Sequence, residues 1–314
     1  MCKVTISAYA FLKKFPNEES ARKHIESRRW ANGIECPHCG SHGKMYQQSR
    51  NGVGGYYRCA ECGKTFTVRT GSIFERSHVP LDKWLYAIYL VVTARKGISS
   101  LQLSKEIGVT QKTAWFMLQR IREATSKDDD DNGSGGGFLS GIVEADETYI
   151  GGKETNKHES KKLKAGRGAV GKAIVFGMRE RGGNVLAKVI PNTSAKTIKA
   201  AIRGAVMAGS TLCTDEHVSY VGMFEYNHRS VNHSAKEFVD GMAHTNGIES
   251  VWAVLKRGFY GIYHSFSEKH LSRYIGEFAF RLNEGNVKVH TLDRLDAMLR
   301  KTVGARITYA DLIT

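Results

Sequence analysis

Two cysteine pairs constrain this chain more than any other feature. Cys36-Pro37-His38-Cys39 is followed, after 19 residues, by Cys59-Ala60-Glu61-Cys62. Each C-x-x-C turn presents two thiolates to one ion, and two such turns close a tetrahedron with no open position. The expectation is a structural Zn²⁺ held by Cys36, Cys39, Cys59 and Cys62. Gly40 and Gly63 each follow the second cysteine of a pair, where the backbone must turn tightly around the sulfur. Lys44-Met45-Tyr46, Tyr56-Tyr57-Arg58 and Lys64–Val68 read as three short strands around the site, a zinc ribbon. A redox dithiol would need only one pair. Cys2 and Cys213 have no spaced partner and are read as free thiols.

The charge points to a polyanion. The 314 residues carry a net charge of +15, with nucleic acid the first candidate partner and an anionic membrane the second. Residues 1–126 hold 20 Lys/Arg against 9 Asp/Glu, so the excess lies in the first half. The longest apolar run, Leu85 to Ala94, is too short to span a bilayer and is flanked by Lys83 and Arg95. No signal-peptide core follows Met1-Cys2-Lys3. The expectation is therefore no membrane partner and a cytoplasmic location, where cysteines serve as metal ligands or free thiols.

Residues 6–30 read as two helices, the second opened by Asn17-Glu18-Glu19 and carrying Arg22, Lys23, Arg28 and Arg29 on a face that packs on its neighbour. Pro80 and Asp82 open another helix, with Leu81, Trp84, Leu85, Ile88, Tyr89 and Val92 at helical period. Ile98–Ile107, the turn Gly108-Val109 and a helix from Gln111 to about Ala124 form a helix-turn-helix. Ala114, Met117, Leu118 and Ile121 are expected in the core. Gln111, Lys112, Trp115 and Arg120, with Gln119 and Arg122, are expected to face outward, toward DNA. Ser126–Gly137 is acidic, then glycine-rich, and reads as a solvated spacer.

Beyond the spacer, strands and helices alternate. Gly141–Gly152 reads as a strand that carries Glu144, Asp146 and Glu147. Successive side chains of a strand alternate faces, so Glu144 and Asp146 share one face and Glu147 takes the other. Strands at Val170–Arg179 and Asn184–Ile190, a helix from Ser194 to Val206, a strand Ser210–Asp215, a short strand Arg229–Asn232 and helices from Asn246 to about Arg257 and Ser267 to about Asn283 follow. A Lys/Gly-rich stretch, 153–172, is read as a loop between the first two strands. This element order is that of a ribonuclease H-like domain. Asp146 on the first strand, Asp215 at the end of the fourth and Glu249 inside the next helix are then the candidate Mg²⁺ ligands, with Glu144 in reserve and Glu147 structural. Glu249, Trp252 and Lys256 are spaced i, i+3, i+7 along one helix face, and Asn246 lies there too. Lys256 and Arg257 would meet phosphates.

The cysteine pairs, the helix-turn-helix, Val143–Gly152, Thr214-Asp215 and His244–Gly258 together resemble the bacterial insertion-sequence transposases with an N-terminal zinc ribbon and a DDE-type, ISXO2-like catalytic domain. The resemblance spans about residues 10–290, and Asp146–Gly152 with His244–Glu249 are its specific parts. It implies an α+β multidomain chain: a helical segment 1–28, a zinc ribbon 29–78, a helix-turn-helix 79–126, a linker 127–138, a ribonuclease H-like catalytic domain 139–290 and a tail 291–314. It also implies Mg²⁺-dependent cleavage, with Mn²⁺ able to substitute, at an element's terminal inverted repeats, and strand transfer of the freed 3′-hydroxyls to target DNA by a dimer or larger assembly. Asp146 and Asp215 match the two aspartates. The third position falls on Glu249 or Asn246, and a carboxylate binds Mg²⁺ better than an amide. The competing reading is a non-catalytic DNA-binding regulator, a zinc ribbon and helix-turn-helix on an inert scaffold.

Overall fold

The computed structural model describes residues 5–126, 139–152, 158, 160, 171–231 and 244–314. Cys2, the spacer 127–138 and most of the 153–172 stretch lie outside the described residues. Two compact units result, one of Met1–Lys127 with Glu284–Thr314, the other of Asp128–Asn283. The first contains α1 (Ala8–Lys14), α2 (Glu18–Arg29), β1 (Met45–Arg50), β2 (Val53–Cys59), β3 (Thr65–Thr67), α3 (Leu81–Thr93), α4 (Ser100–Ile107) and α5 (Gln111–Ser126). The second contains β4 (Ile142–Ile150), β5 (Ala173–Glu180), β6 (Val185–Ile190), α6 (Ala195–Arg203), β7 (Thr211–Asp215), β8 (Asn227–Val231), α7 (Asn246–Gly258) and α8 (Glu268–Leu282). The chain then returns to the first unit with α9 (Thr291–Lys301) and α10 (Tyr309–Ile313).

In the first unit, β1, β2 and β3 form an antiparallel ribbon. The Sγ atoms of Cys36, Cys39, Cys59 and Cys62 all lie within 4.8 Å of one another. The Cys36–Cys62 and Cys39–Cys59 pairs are each 3.7 Å apart. Zn–S bonds of about 2.3 Å at tetrahedral angles place sulfurs roughly 3.8 Å apart, so this donor set fits Zn²⁺. The two turns repeat one geometry: the Gly40 N–H donates to Cys36 O at 2.9 Å and the Gly63 N–H to Cys59 O at 3.0 Å. Both glycines have positive φ, +72° and +68°, which a side chain would strain. The N–H groups of Cys62 and Glu61 hold the Cys59 thiol below its ordinary value, while the neighbouring Cys39 thiol, coupled to it, is held above it. Trp30 meets Tyr57 edge-on and Tyr57 stacks on Phe66, giving the ribbon its own small core. The basic face of α2 packs here as expected: Arg22 lies against Gly55 and Arg29 donates to Val68 O at 2.6 Å.

The helix-turn-helix is present. α4 ends at Gly108 in the left-handed region (φ +62°), and α5 starts three residues later. Gln111 and Lys112 are exposed at the start of α5, and Trp115 is half-buried. Arg120 corrects the expectation. It is 4% exposed, with its Nη1 donating to Ile73 O and Glu75 O at 2.7 and 2.8 Å and its Nε to Ile307 O at 3.2 Å. Gln119 and Arg122 are buried as well. The physical reason is the C-terminal segment. The 291–314 stretch is no tail: α9 packs on α2, α3 and α5, and the chain after it runs beside Arg120. Asp296 of α9 binds His24 and Arg28 of α2 at 2.9 and 2.8 Å, and the buried Arg294 donates to Val92 O at 2.7 Å. The separately delimited segments 1–28, 29–78 and 79–126 belong, with this return, to one compact unit.

In the second unit, the strand order is β6-β5-β4-β7-β8. β4–β5 and β5–β6 are antiparallel, whereas β4–β7 and β7–β8 are parallel. Val143 and Ala145 point to the face covered by Ile198, Ala201 and Ile202 of α6. Ile150 joins the opposite core, with Ile248, Val251 and Trp252 of α7 and Leu271, Ile275 and Phe278 of α8. This is the ribonuclease H-like architecture, and β4 is its central strand.

Two outcomes are expected. Arg120→Ala, which strips three buried carbonyls of their donor, should lower stability to urea by about 3 kcal/mol, whereas Lys112→Ala at an exposed site should change it by under about 0.5 kcal/mol. Elemental analysis should find one zinc per chain. Its removal by a chelator should release Trp30 from the ribbon core, read as a red shift in tryptophan emission that Zn²⁺ reverses.

Candidate active site

β4 carries three carboxylates because each meets a different partner. Glu144 is 1% exposed. Its Oε1 pairs with Arg181 Nε at 2.8 Å and its Oε2 accepts the Ile248 N–H of α7 at 2.9 Å. His244 Nδ1 stands 3.3 Å from the same Oε1. Glu144 thus satisfies one of the free N–H groups at the start of α7 and sets a negative charge at the positive end of the helix. Thr245 occupies the cap position, but its hydroxyl donates to Glu249 Oε1 at 3.1 Å rather than capping the backbone. Gly247 explains itself here: a Cβ on it would stand 2.4 Å from Glu144 Oε2. Glu144 is consumed by the fold and is no reserve metal ligand.

Asp146 lies two residues further on the same face. The parallel β4–β7 ladder closes at Glu144↔Cys213, and Asp146 and Asp215 each stand two residues beyond that last pair. Asp146 Oδ2 accepts the Trp252 indole N–H at 2.9 Å. Burial, aided by the charges of Glu147 and Asp215, pushes the Asp146 carboxyl up to about 6, against the lowering effect of the indole. Asp215 Oδ1 accepts the His217 N–H at 3.0 Å, bending the chain away at the strand end. Glu147 points to the other face, as expected, yet it is not remote. Tyr220, fully buried, donates to its Oε2 at 2.6 Å, and burial with the Asp215 charge raises its carboxyl too.

Glu249 and Lys256 stand on the exposed side of α7, with Asn246 and Arg257, while Trp252 turns inward to the sheet. The shared face read from the i, i+3, i+7 spacing is thus divided at the helix flank. Among the described residues, the four cysteines are the one set of three or more His, Cys, Asp or Glu whose ligand atoms lie within 4.8 Å of one another. Asp215 lies near enough for its charge to act on Asp146, and Glu249 completes no cluster with them among the described residues. Two carboxylates on adjacent strands still suit a hard divalent cation, since Mg²⁺ takes one or two carboxylates and fills its shell with water and phosphate oxygens.

Sequence reasoning missed Arg181, Tyr220, Trp252 as a donor, and Gly177. Only Gly177 carried a usable signal, a glycine inside a strand that marks close approach of another group. It stands opposite Asp146 in the ladder, and a Cβ there would lie 2.4 Å from Trp252 Cη2.

Residues 138–283 match the model of the ISXO2-like transposase domain, and residues 16–65 that of the transposase zinc-ribbon domain. The chain is 31% identical over 283 residues to an uncharacterised protein in transposable element ISH50 of Halobacterium salinarum, covering 86% of this chain and 92% of that protein. Solved structures with weaker likeness include a pre-cleavage Mos1 transpososome, at 11% identity over 69% of this chain and 76% of the other with a TM-score of 0.30. The Mos1 strand transfer complex follows at 13% identity, 64% and 76% coverage and a TM-score of 0.22.

A raised carboxyl sets a sign. Folded Asp146 holds its proton to about pH 6, whereas the unfolded chain releases it near pH 4, so metal-free protein should lose stability as pH rises through that window. The expected loss is on the order of 2–3 kcal/mol, and Asp146→Asn should flatten that part of the urea-unfolding profile between pH 4 and 7.

Proposed function

This chain belongs to the ISXO2-like transposase family, and on that premise we propose that it binds the terminal inverted repeats of an insertion sequence, cleaves DNA to free 3′-hydroxyl ends and joins those ends to target DNA. The observation that carries this reading is the raised carboxyl of Asp146, which desolvation and the charges of Glu147 and Asp215 push up to about 6, with Asp146 and Asp215 each two residues beyond the last pair of the parallel β4–β7 ladder. When bound there, Mg²⁺, or Mn²⁺ in its place, would activate the attacking oxygen and stabilise the leaving oxygen of an in-line displacement.

The residues divide the work. Asp146 and Asp215 would hold the cation, and the indole of Trp252 donates to the first of them. Glu249 would be the third acid, with Asn246 beside it on the exposed helix face. Lys256 and Arg257, exposed in the last turns of α7, neutralise backbone phosphates. Gln111, Lys112 and Trp115 at the start of α5 read the terminal repeats, and the zinc ribbon supports that unit. Two element ends must be joined, which calls for a dimer or larger assembly on DNA. Among the described residues no helix is long and apolar enough to cross a membrane.

The test uses purified protein, DNA bearing the element's terminal repeats, a plasmid target and Mg²⁺ or Mn²⁺. Wild type should nick and join. Asp146→Asn and Asp215→Asn should each reduce joined product by more than about a thousandfold while still shifting the repeat DNA in a gel, since loss of a metal ligand removes several kcal/mol of transition-state stabilisation. Joined product from Asp146→Asn would refute the assignment. Repeat binding without any nicking by wild type would favour the regulator reading instead.

A further inference from the structure

We propose that Trp252 is a positioning residue for Asp146, fixing which carboxylate oxygen faces the cation, and that Gly177 is the opening in the sheet that admits it. The proposal rests on the reading of Asp146 as a metal ligand. Three elements converge on the point. The Trp252 indole of α7, 4% exposed, donates from Nε1 to Asp146 Oδ2 of β4 at 2.9 Å. The six-membered part of the indole lies over Gly177 of β5, the ladder partner of Asp146. A Cβ at Gly177 would stand 2.4 Å from Cη2 and 2.6 Å from Cζ2 of Trp252, and 3.1 Å from Ile248 Cδ1. Glycine in a strand interior weakens the strand, so its place here has a packing reason.

The chemistry favours positioning over simple core filling. The indole occupies Oδ2 and leaves Oδ1 to coordinate. It is a neutral donor, so it orients the carboxylate without the cationic charge by which Lys or Arg would compete with the metal. The helix that carries it cannot slide, because Glu144 holds the Ile248 N–H one turn earlier. Groups that orient a ligating carboxylate matter to metal affinity by roughly ten- to a hundredfold.

Mn²⁺ binding to the full chain, followed by the loss of its free electron-spin resonance signal, tests this beside thermal unfolding in metal-free buffer. Trp252→Phe keeps a ring in the apolar core and removes the N–H. It should weaken Mn²⁺ binding about tenfold while the protein stays folded. Gly177→Ala should weaken binding similarly when Trp252 is present and add little in the Trp252→Phe background, where the shorter ring no longer needs the opening. If Gly177→Ala fails to fold, Trp252→Phe decides alone. Wild-type Mn²⁺ affinity in Trp252→Phe, with binding abolished in Asp146→Asn, would overturn the proposal and leave the metal site standing. Wild-type affinity in Asp146→Asn would overturn the underlying site and the proposal with it. Fully additive losses in the double variant would refute the role given to Gly177.

Discussion

The ion pair between Glu144 and Arg181, closed by the Ile248 N–H, is the contact on which the second unit depends. It is a buried charge placed where burial is most easily tolerated. Arg181 answers it from just past the end of β5, and the helix start answers it from α7. A buried carboxylate without such partners would cost several kcal/mol. Because both partners are directional, the contact does more than neutralise charge. It fixes the start of α7 in register with β4, and every side chain of that helix inherits its position from there. Gly247 leaves room for the carboxylate, and Arg181 Nη2 also holds His244 O at 2.9 Å, so the approach to the helix is tied to the same group.

Period-two geometry then makes the arrangement work twice. Glu144 and Asp146 lie on one face of β4, two residues apart, so one anchors the helix while the other meets its indole a turn later. The difference between them is the supply of positive charge. Glu144 has Arg181, whereas Asp146 has a neutral N–H and two acidic neighbours. One carboxylate is therefore spent on structure, and the other keeps a raised carboxyl beside acidic neighbours. β7 ends at Asp215, which adds its charge and accepts the His217 N–H where the chain turns away.

Much of this was legible in the sequence. Element order, the central strand and the fourth strand ending in Asp215 follow from alternation, Gly-bearing turns and caps such as Ser194. The cysteine spacing fixed the ribbon. What was not legible were contacts between elements distant in sequence. Glu144 and Asp146 look equivalent on a strand, and only the remote Arg181 separates them. Helical spacing put Glu249, Trp252 and Lys256 on one side, but a buried face ends within a span of about 60°, and the sheet claims the tryptophan while water claims the two charges. The C-terminal stretch read as a tail because the partners of its buried residues lie some 200 residues upstream.

Arginine is where charge counting and structure part company. The excess in the first half of the chain suggests a broad electropositive surface, yet Arg120, Arg122 and Arg294 of the same compact unit are buried, and burial pushes Arg29 down to about 10. Arg120 and Arg294 give their donors to backbone carbonyls. A guanidinium suits that task because its planar fork can serve several carbonyls at once, which an ammonium on a flexible stem does poorly. These side chains hold loops and the returning C-terminal helices in place, so they add to the formal charge without facing a polyanion. The charge available to DNA from this unit is consequently carried more by exposed lysines and by the first turn of α5 than the composition implies. A helix such as α5 is thus divided, its second half bound into the core by arginine and its first turn exposed.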